Sequence, residues 1–207
     1  MENAAAIPVR PRPAKARPKP VWIVSKTVVW LLCLSPVCWL VWGAFHDGLG
    51  ANPVEFITHK TGDWTLRLVL ITLAITPLRR LLKQPLLVRF RRLTGLFAFF
   101  YGCLHFTTWF WLDKSLNFAE MWKDVEKRPF ITVGFLAFVA MIPLAVTSTS
   151  GWIRRLGGRN WQRLHKLIYL TAAAAVVHYY WLVKSDVRLP VMYGVIFVVL
   201  MGLRLKK

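Results

Sequence analysis

Six apolar stretches, each almost free of charge, dominate this chain and decide what it can fold into. They run over residues 27–45, 64–78, 93–112, 130–149, 167–183 and 189–203. A helix needs roughly 17–25 mostly apolar residues to cross a bilayer, where only helices and closed barrels satisfy every backbone N–H and C=O internally. The second and sixth stretches are short, which favours little tilt or an extension into flanking residues. Pro36, Pro77 and Pro143 fall in or near the ends of stretches and predict kinks. Of 207 residues, 56% are hydrophobic and 18% charged, a balance unlike that of a disordered chain or a disulfide scaffold. The blocked apolar pattern also excludes an ordinary nucleic-acid-binding domain, despite a net charge of +19. The expected fold is all-α: a polytopic membrane protein with a six-helix transmembrane bundle.

Charge orients the bundle. Residues 1–26, 79–92, 150–166 and 204–207 carry 20 of the 28 basic residues and one acid, Glu2. The alternate loops carry the other eight acids and seven basic residues, with Arg67 just inside the second stretch. Short basic loops stay in the cytoplasm, so both termini are expected there. Residues 1–21 read as a basic, Pro-rich cytoplasmic tail that reinforces orientation, and residues 22–207 as the six-span domain. Cys33, Cys38 and Cys103 sit in apolar stretches without metal-site spacing and read as packing residues. Gly157-Gly158 reads as a turn, since no strand precedes it to make a nucleotide-binding loop.

Two histidines carry the chemistry. His46 and His59 fall in the first outward loop, whereas His105 and His178 each interrupt an apolar stretch. An ionisable group at such depth points to function. His105 lies 12 residues beyond Leu93 and His178 lies 11 beyond Leu167, which places both roughly 17–18 Å into the membrane at helical rise. Two neutral imidazoles at one level on separate helices can clamp a haem iron from opposite faces. Small residues flank each: Gly95, Ala98 and Gly102 before His105, and Thr171, Ala174 and Ala175 before His178. They would let a flat macrocycle approach, or would pack helix on helix. Phe99, Phe100, Tyr101, Phe106 and Tyr179 could fill its edges. His165, 13 residues before His178, suits a second haem with one His ligand, a haem with a weak ligand such as Met201, or a quinone site. Arg163 and Lys166 beside it, and Arg67, are candidate propionate contacts.

Several runs then resemble the MsrQ (YedZ) family. They are Thr58-His59-Lys60-Thr61-Gly62-Asp63-Trp64, Thr76-Pro77-Leu78-Arg79-Arg80, Gly95-Leu96-Phe97-Ala98-Phe99-Phe100-Tyr101 with Leu104-His105-Phe106, and Lys127-Arg128-Pro129-Phe130-Ile131-Thr132-Val133-Gly134. Pro143-Leu144-Ala145-Val146-Thr147-Ser148, Trp161-Gln162-Arg163-Leu164-His165-Lys166 and His178-Tyr179-Tyr180-Trp181 continue the resemblance, which covers about residues 22–205. That family supplies haem-binding membrane subunits within the ferric-reductase-like superfamily. The resemblance implies b-type haem on His105 and His178, a third functional His at His165, and FMN binding. It also implies electron delivery from the quinone pool, or from a cytoplasmic flavin reductase, across the bacterial inner membrane. The implied acceptor is MsrP, a periplasmic molybdopterin enzyme that reduces methionine sulfoxide in oxidised proteins. Related ferric reductases carry a second His on the third span where this chain has Arg91.

The expected function is therefore a haem b electron-transfer subunit, with sulfoxide reduction on its partner. No dehydrogenase pattern accompanies the spans, so the electrons are expected from quinol or a separate reductase. Competing readings are a ferric or other metal-chelate reductase and a haem-free transporter or assembly factor. The charge pattern makes a test: reporters fused within residues 79–92 or 150–166 should read as cytoplasmic, and those within 46–63 or 113–129 as external. The reverse pattern would overturn the orientation.

Overall fold

The computed structural model describes residues 20–205, so the expected tail lies outside the described residues except for Pro20 and Val21, which begin a helix. Eight α-helices and no strand occur among the described residues. They are α1 (Pro20–Phe45), α2 (Pro53–Leu81), α3 (Phe90–Thr107), α4 (Phe118–Lys127), α5 (Pro129–Val146), α6 (Ser150–Leu164), α7 (Leu167–Leu182) and α8 (Arg188–Leu205). A 3₁₀ segment, Pro85–Arg89, leads into α3, and a π-helical turn, Thr108–Asp113, follows it.

Each apolar stretch lies mainly on a helix, and α2 shows why its stretch is short. Its 29 residues reach roughly 43 Å, with the apolar part flanked by polar turns. Pro53 at its start and the Asn52 side chain, which accepts from the Glu55 N–H at 3.2 Å, set its beginning. His59 is accordingly an exposed helical residue of α2, not a loop residue. Two helices arise where sequence suggested loops. α4 is amphipathic, capped by Asn117, and held by Lys114, which pairs with Asp124 at 2.7 Å and Asp113 at 3.2 Å. Those carboxylates hold the Lys114 ammonium above the usual lysine range. α6 bends at Gly157, whose φ of 72° only glycine adopts readily, so the expected Gly157-Gly158 turn is a kink within a helix.

Helix α2 packs along α3, and α5 along α7; α3 against α5 and α8 against α2 and α7 join the two pairs. Leu68, Val69, Leu73, Phe97, Ala98, Tyr101, Met141 and Ala172 form the buried centre. The outside is apolar, with Leu31, Leu32, Val41, Trp42, Leu170 and Val198 exposed, as a lipid-covered surface requires. By length and mean hydropathy, α1 (2.0) and α5 (2.3) are each long and apolar enough to cross a membrane.

The prolines leave carbonyls that must be satisfied. Pro36 has no N–H for the Leu32 carbonyl, and Ser35 Oγ donates to it at 3.0 Å. The next turn of α1 opens around the Tyr101 hydroxyl, which accepts from the Val37 N–H at 3.1 Å and donates to the Cys33 carbonyl at 2.8 Å. Pro77 likewise frees the Leu73 carbonyl, which accepts from Nε and Nη2 of Arg204 on α8. Tyr101→Phe would remove the hydroxyl that bridges the Val37 N–H and the Cys33 carbonyl of α1, a loss of about 1–3 kcal/mol. Thermal unfolding in detergent should show a lower Tm; an unchanged Tm would contradict the inserted hydroxyl.

Candidate metal centre

His105, near the end of α3, and His178, near the end of α7, meet between the two helix pairs. Their ring centroids are 6.2 Å apart and their planes lie at 74°. Each ring is tied to the partner helix of its own pair. Nδ1 of His105 lies 2.8 Å from the Thr58 carbonyl of α2, and Nδ1 of His178 lies 2.6 Å from the Phe130 carbonyl of α5. A carbonyl only accepts, so each Nδ1 carries the proton and each neutral ring keeps a lone pair on Nε2. Neither Nε2 has a hydrogen-bond partner among the described residues. Both side chains remain only partly covered, so neither ring is sealed into the packing.

This donor set suits a metal that brings its own equatorial ligands. No group of three or more His, Cys, Asp and Glu side chains could hold a metal ion among the described residues, which argues against a bare ion. Two imidazoles alone suffice for haem iron, whose other four ligands belong to the macrocycle. A metal–imidazole bond of about 2 Å and about 1 Å from nitrogen to ring centre, taken on both sides, span about 6 Å. The ring separation fits that span.

The surroundings are aromatic. Phe106 and Phe99 stack on Phe138 of α5 at 5.0 and 6.0 Å, and Phe130 lies 6.1 Å from the His178 ring. Tyr101 is committed to α1, Tyr179 lies 6.2 Å from Tyr193, and Phe100 is exposed. The small residues before His105 pack against helices. A Cβ on Gly95 would meet Thr72 of α2 at 3.5 Å, and one on Gly102 would meet Phe138, Thr65 and Met141 at 3.6–3.8 Å. In the other stripe Thr171 is buried, and its hydroxyl has no partner among the described residues.

The remaining candidates lie elsewhere. His165, at the junction of α6 and α7, stacks on Trp161 at 3.9 Å. Its Nε2 lies 3.0 Å from Thr147 Oγ1, whose own proton goes to the Pro143 carbonyl at 2.6 Å; Nε2 is therefore the donor and Nδ1 holds the lone pair. Trp161 Nε1 closes this knot on the Thr147 carbonyl at 2.8 Å. Burial, with a contribution from the nearby Arg91 guanidinium, keeps the His165 ring below the ordinary histidine range. Arg67 donates through Nε to Tyr193 of α8 at 2.8 Å and lies over the Trp64 ring. Arg163 is exposed on the last turn of α6, and His46 stacks on Trp42. Sequence reasoning missed the Thr58 and Phe130 carbonyls, because a main-chain acceptor leaves no mark in residue type. It also missed the Thr147–Trp161–His165 knot, whose residues come from separate segments.

The chain is similar to known membrane and haem-binding proteins. Residues 61–176 match the family model described as ferric reductase like transmembrane component. The chain is 52% identical over 187 residues to the protein-methionine-sulfoxide reductase heme-binding subunit MsrQ of Herminiimonas arsenicoxydans, covering 89% of this chain and 86% of that protein. It is 52% identical to the subunit of the same name from Caulobacter vibrioides over 84% of this chain and 83% of that one. It is 51% identical to that from Ralstonia nicotianae over 93% and 89%. No solved structure matches the chain.

The geometry separates the histidines experimentally. In purified protein, His105→Ala or His178→Ala should remove the low-spin haem absorption, whereas His59→Ala should leave haem content within about twofold of wild type. Full haem retention by both first variants would refute the pair as ligands.

Proposed function

Because the chain belongs to the MsrQ family of ferric-reductase-like transmembrane proteins, we propose that it is the haem b subunit carrying electrons across the inner membrane to a periplasmic molybdopterin methionine sulfoxide reductase, MsrP. In this reading six helices span the membrane, with both termini in the cytoplasm, and α4 and α6 lie beside the spans. The observation that carries it is the His105/His178 pair, with both Nδ1 atoms committed to carbonyls and both Nε2 lone pairs available. His105 and His178 would hold the iron, and bound haem would supply reversible one-electron Fe(III)/Fe(II) chemistry.

The chain's own groups do the rest. The two carbonyls hold the imidazoles in one tautomer and one orientation. The apolar helices lower the local dielectric around the pair. Arg67 and Arg163 are this reading's propionate contacts. His165 serves a second haem or a quinone at the basic end of the bundle, and FMN is a further cofactor of this reading. The donor is the quinone pool or a cytoplasmic flavin reductase, and sulfoxide reduction belongs to the partner.

The test uses haem-loaded protein in lipid vesicles. Added quinol should produce the reduced haem bands, and MsrP with methionine sulfoxide should then reoxidise them. His105→Ala and His178→Ala should abolish both responses. Reduction by quinol followed by oxidation only with a ferric chelate would favour the metal-reductase reading. No response to quinol or to a flavin reductase would overturn the proposed route.

A further inference from the structure

The two imidazole–carbonyl contacts share a second feature. Thr58 is followed four residues later by Gly62, and Phe130 four residues later by Gly134. On a helix, residue i+4 lies above residue i on the same face, and its Cβ tilts back toward the N-terminus. A side chain there stands beside the very carbonyl that the imidazole approaches. A Cβ built on Gly134 would lie 2.6 Å from Nδ1 and 2.8 Å from Cε1 of His178. One built on Gly62 would lie 3.1 Å from Nδ1 and Cε1 of His105. The first distance is a collision and the second is tight.

The backbone does not demand glycine at either place. The glycines with positive φ are Gly50 and Gly157, so Gly62 and Gly134 have ordinary helical geometry, where alanine is intrinsically preferred. Other helical glycines meet no imidazole: Gly95 and Gly102 make ordinary contacts, and Gly202 faces open space.

We propose that Gly62 and Gly134 are positioning residues of the metal centre, which by lacking a Cβ admit the two imidazoles to the Thr58 and Phe130 carbonyls. The proposal rests on His105 and His178 being the haem ligands. The same device then acts once in each helix pair. It holds Nδ1–H on a carbonyl, aims Nε2, and strengthens the nitrogen as an electron donor to iron.

The experiment compares haem-loaded wild type with Gly62→Ala, Gly134→Ala and the control Gly202→Ala, in detergent. It reads haem per protein, the low-spin absorption and paramagnetic resonance signals, the midpoint potential and helical content. Gly134→Ala should hold haem about 10–100-fold less tightly, or turn high-spin, with its helical content kept. Gly62→Ala, the milder contact, should keep haem with an altered low-spin signal and a raised potential, because its imidazole loses the carbonyl's polarisation. Gly202→Ala should match wild type. Wild-type spectra and potential in both Gly62→Ala and Gly134→Ala would overturn the proposal. So would haem loss that always accompanies loss of helicity, since the glycines would then serve packing alone. If His105→Ala and His178→Ala keep the wild-type spectrum, the ligand reading itself fails; if they lose it while the alanine variants at Gly62 and Gly134 do not, only the positioning role fails.

Discussion

A helix carbonyl that accepts a second hydrogen bond from outside its helix is the interaction on which this architecture turns. The Thr58 and Phe130 oxygens serve their own helices and also take the Nδ1–H of His105 and His178. Each bond closes within a helix pair, α2 with α3 and α5 with α7, so each histidine is oriented by its own pair. The two pairs then face each other ring to ring at 6.2 Å. Any group gripped by both Nε2 atoms would join the two halves of the fold. Binding and folding would then be coupled through the same contact.

Satisfying carbonyls is also what holds the rest of the bundle together. In an apolar surrounding an unpaired backbone group is costly, and each proline in a helix creates one. The chain meets this locally at the Leu32 carbonyl, through Ser35, and with side chains from elsewhere in sequence at other backbone groups. Tyr101 reaches from α3 into α1, and Arg204 reaches from α8 to the Leu73 carbonyl of α2 while Tyr169 of α7 accepts from its Nη1 at 2.8 Å. Thr147, Trp161 and His165 tie the end of α5 to the start of α7. These long-range bonds fix how the helices cross, whereas apolar contacts among them are interchangeable with lipid.

Much of this was legible in the sequence, because the dominant signals are one-dimensional. The apolar stretches fall largely on helices, and counting residues from Leu93 and Leu167 was enough to expect His105 and His178 at a common level, where their rings meet. α4 and α6 were missed for a physical reason. Their stability comes from caps and amphipathic contact, and Asn117 or Thr149 ahead of a mixed-charge run is a weak signal beside twenty apolar residues. The small-residue stripe before His105 was legible as a stripe but ambiguous in direction, and Gly95 and Gly102 turn it toward neighbouring helices. Gly62 and Gly134 were visible as letters, yet their meaning depends on which imidazole stands above which carbonyl, a relation between helices that no single segment encodes.

The choice of a carbonyl as the partner of each imidazole has its own logic. A carboxylate in that place would polarise the ring more strongly, but an anion within the apolar bundle carries a heavy desolvation cost unless a cation compensates it. It would also pull the proton toward itself and push the ring toward imidazolate character. A main-chain carbonyl fixes the tautomer and the ring plane without adding charge to the membrane interior. It is held by the helix, so it has no rotamer to lose. The requirement it imposes is access, since a helix normally screens its carbonyls with the side chain one turn later. Where that screen is a hydrogen atom, an imidazole can reach in. An uncharged, rigid acceptor and an unscreened approach are thus two halves of one solution to orienting an imidazole inside an apolar bundle.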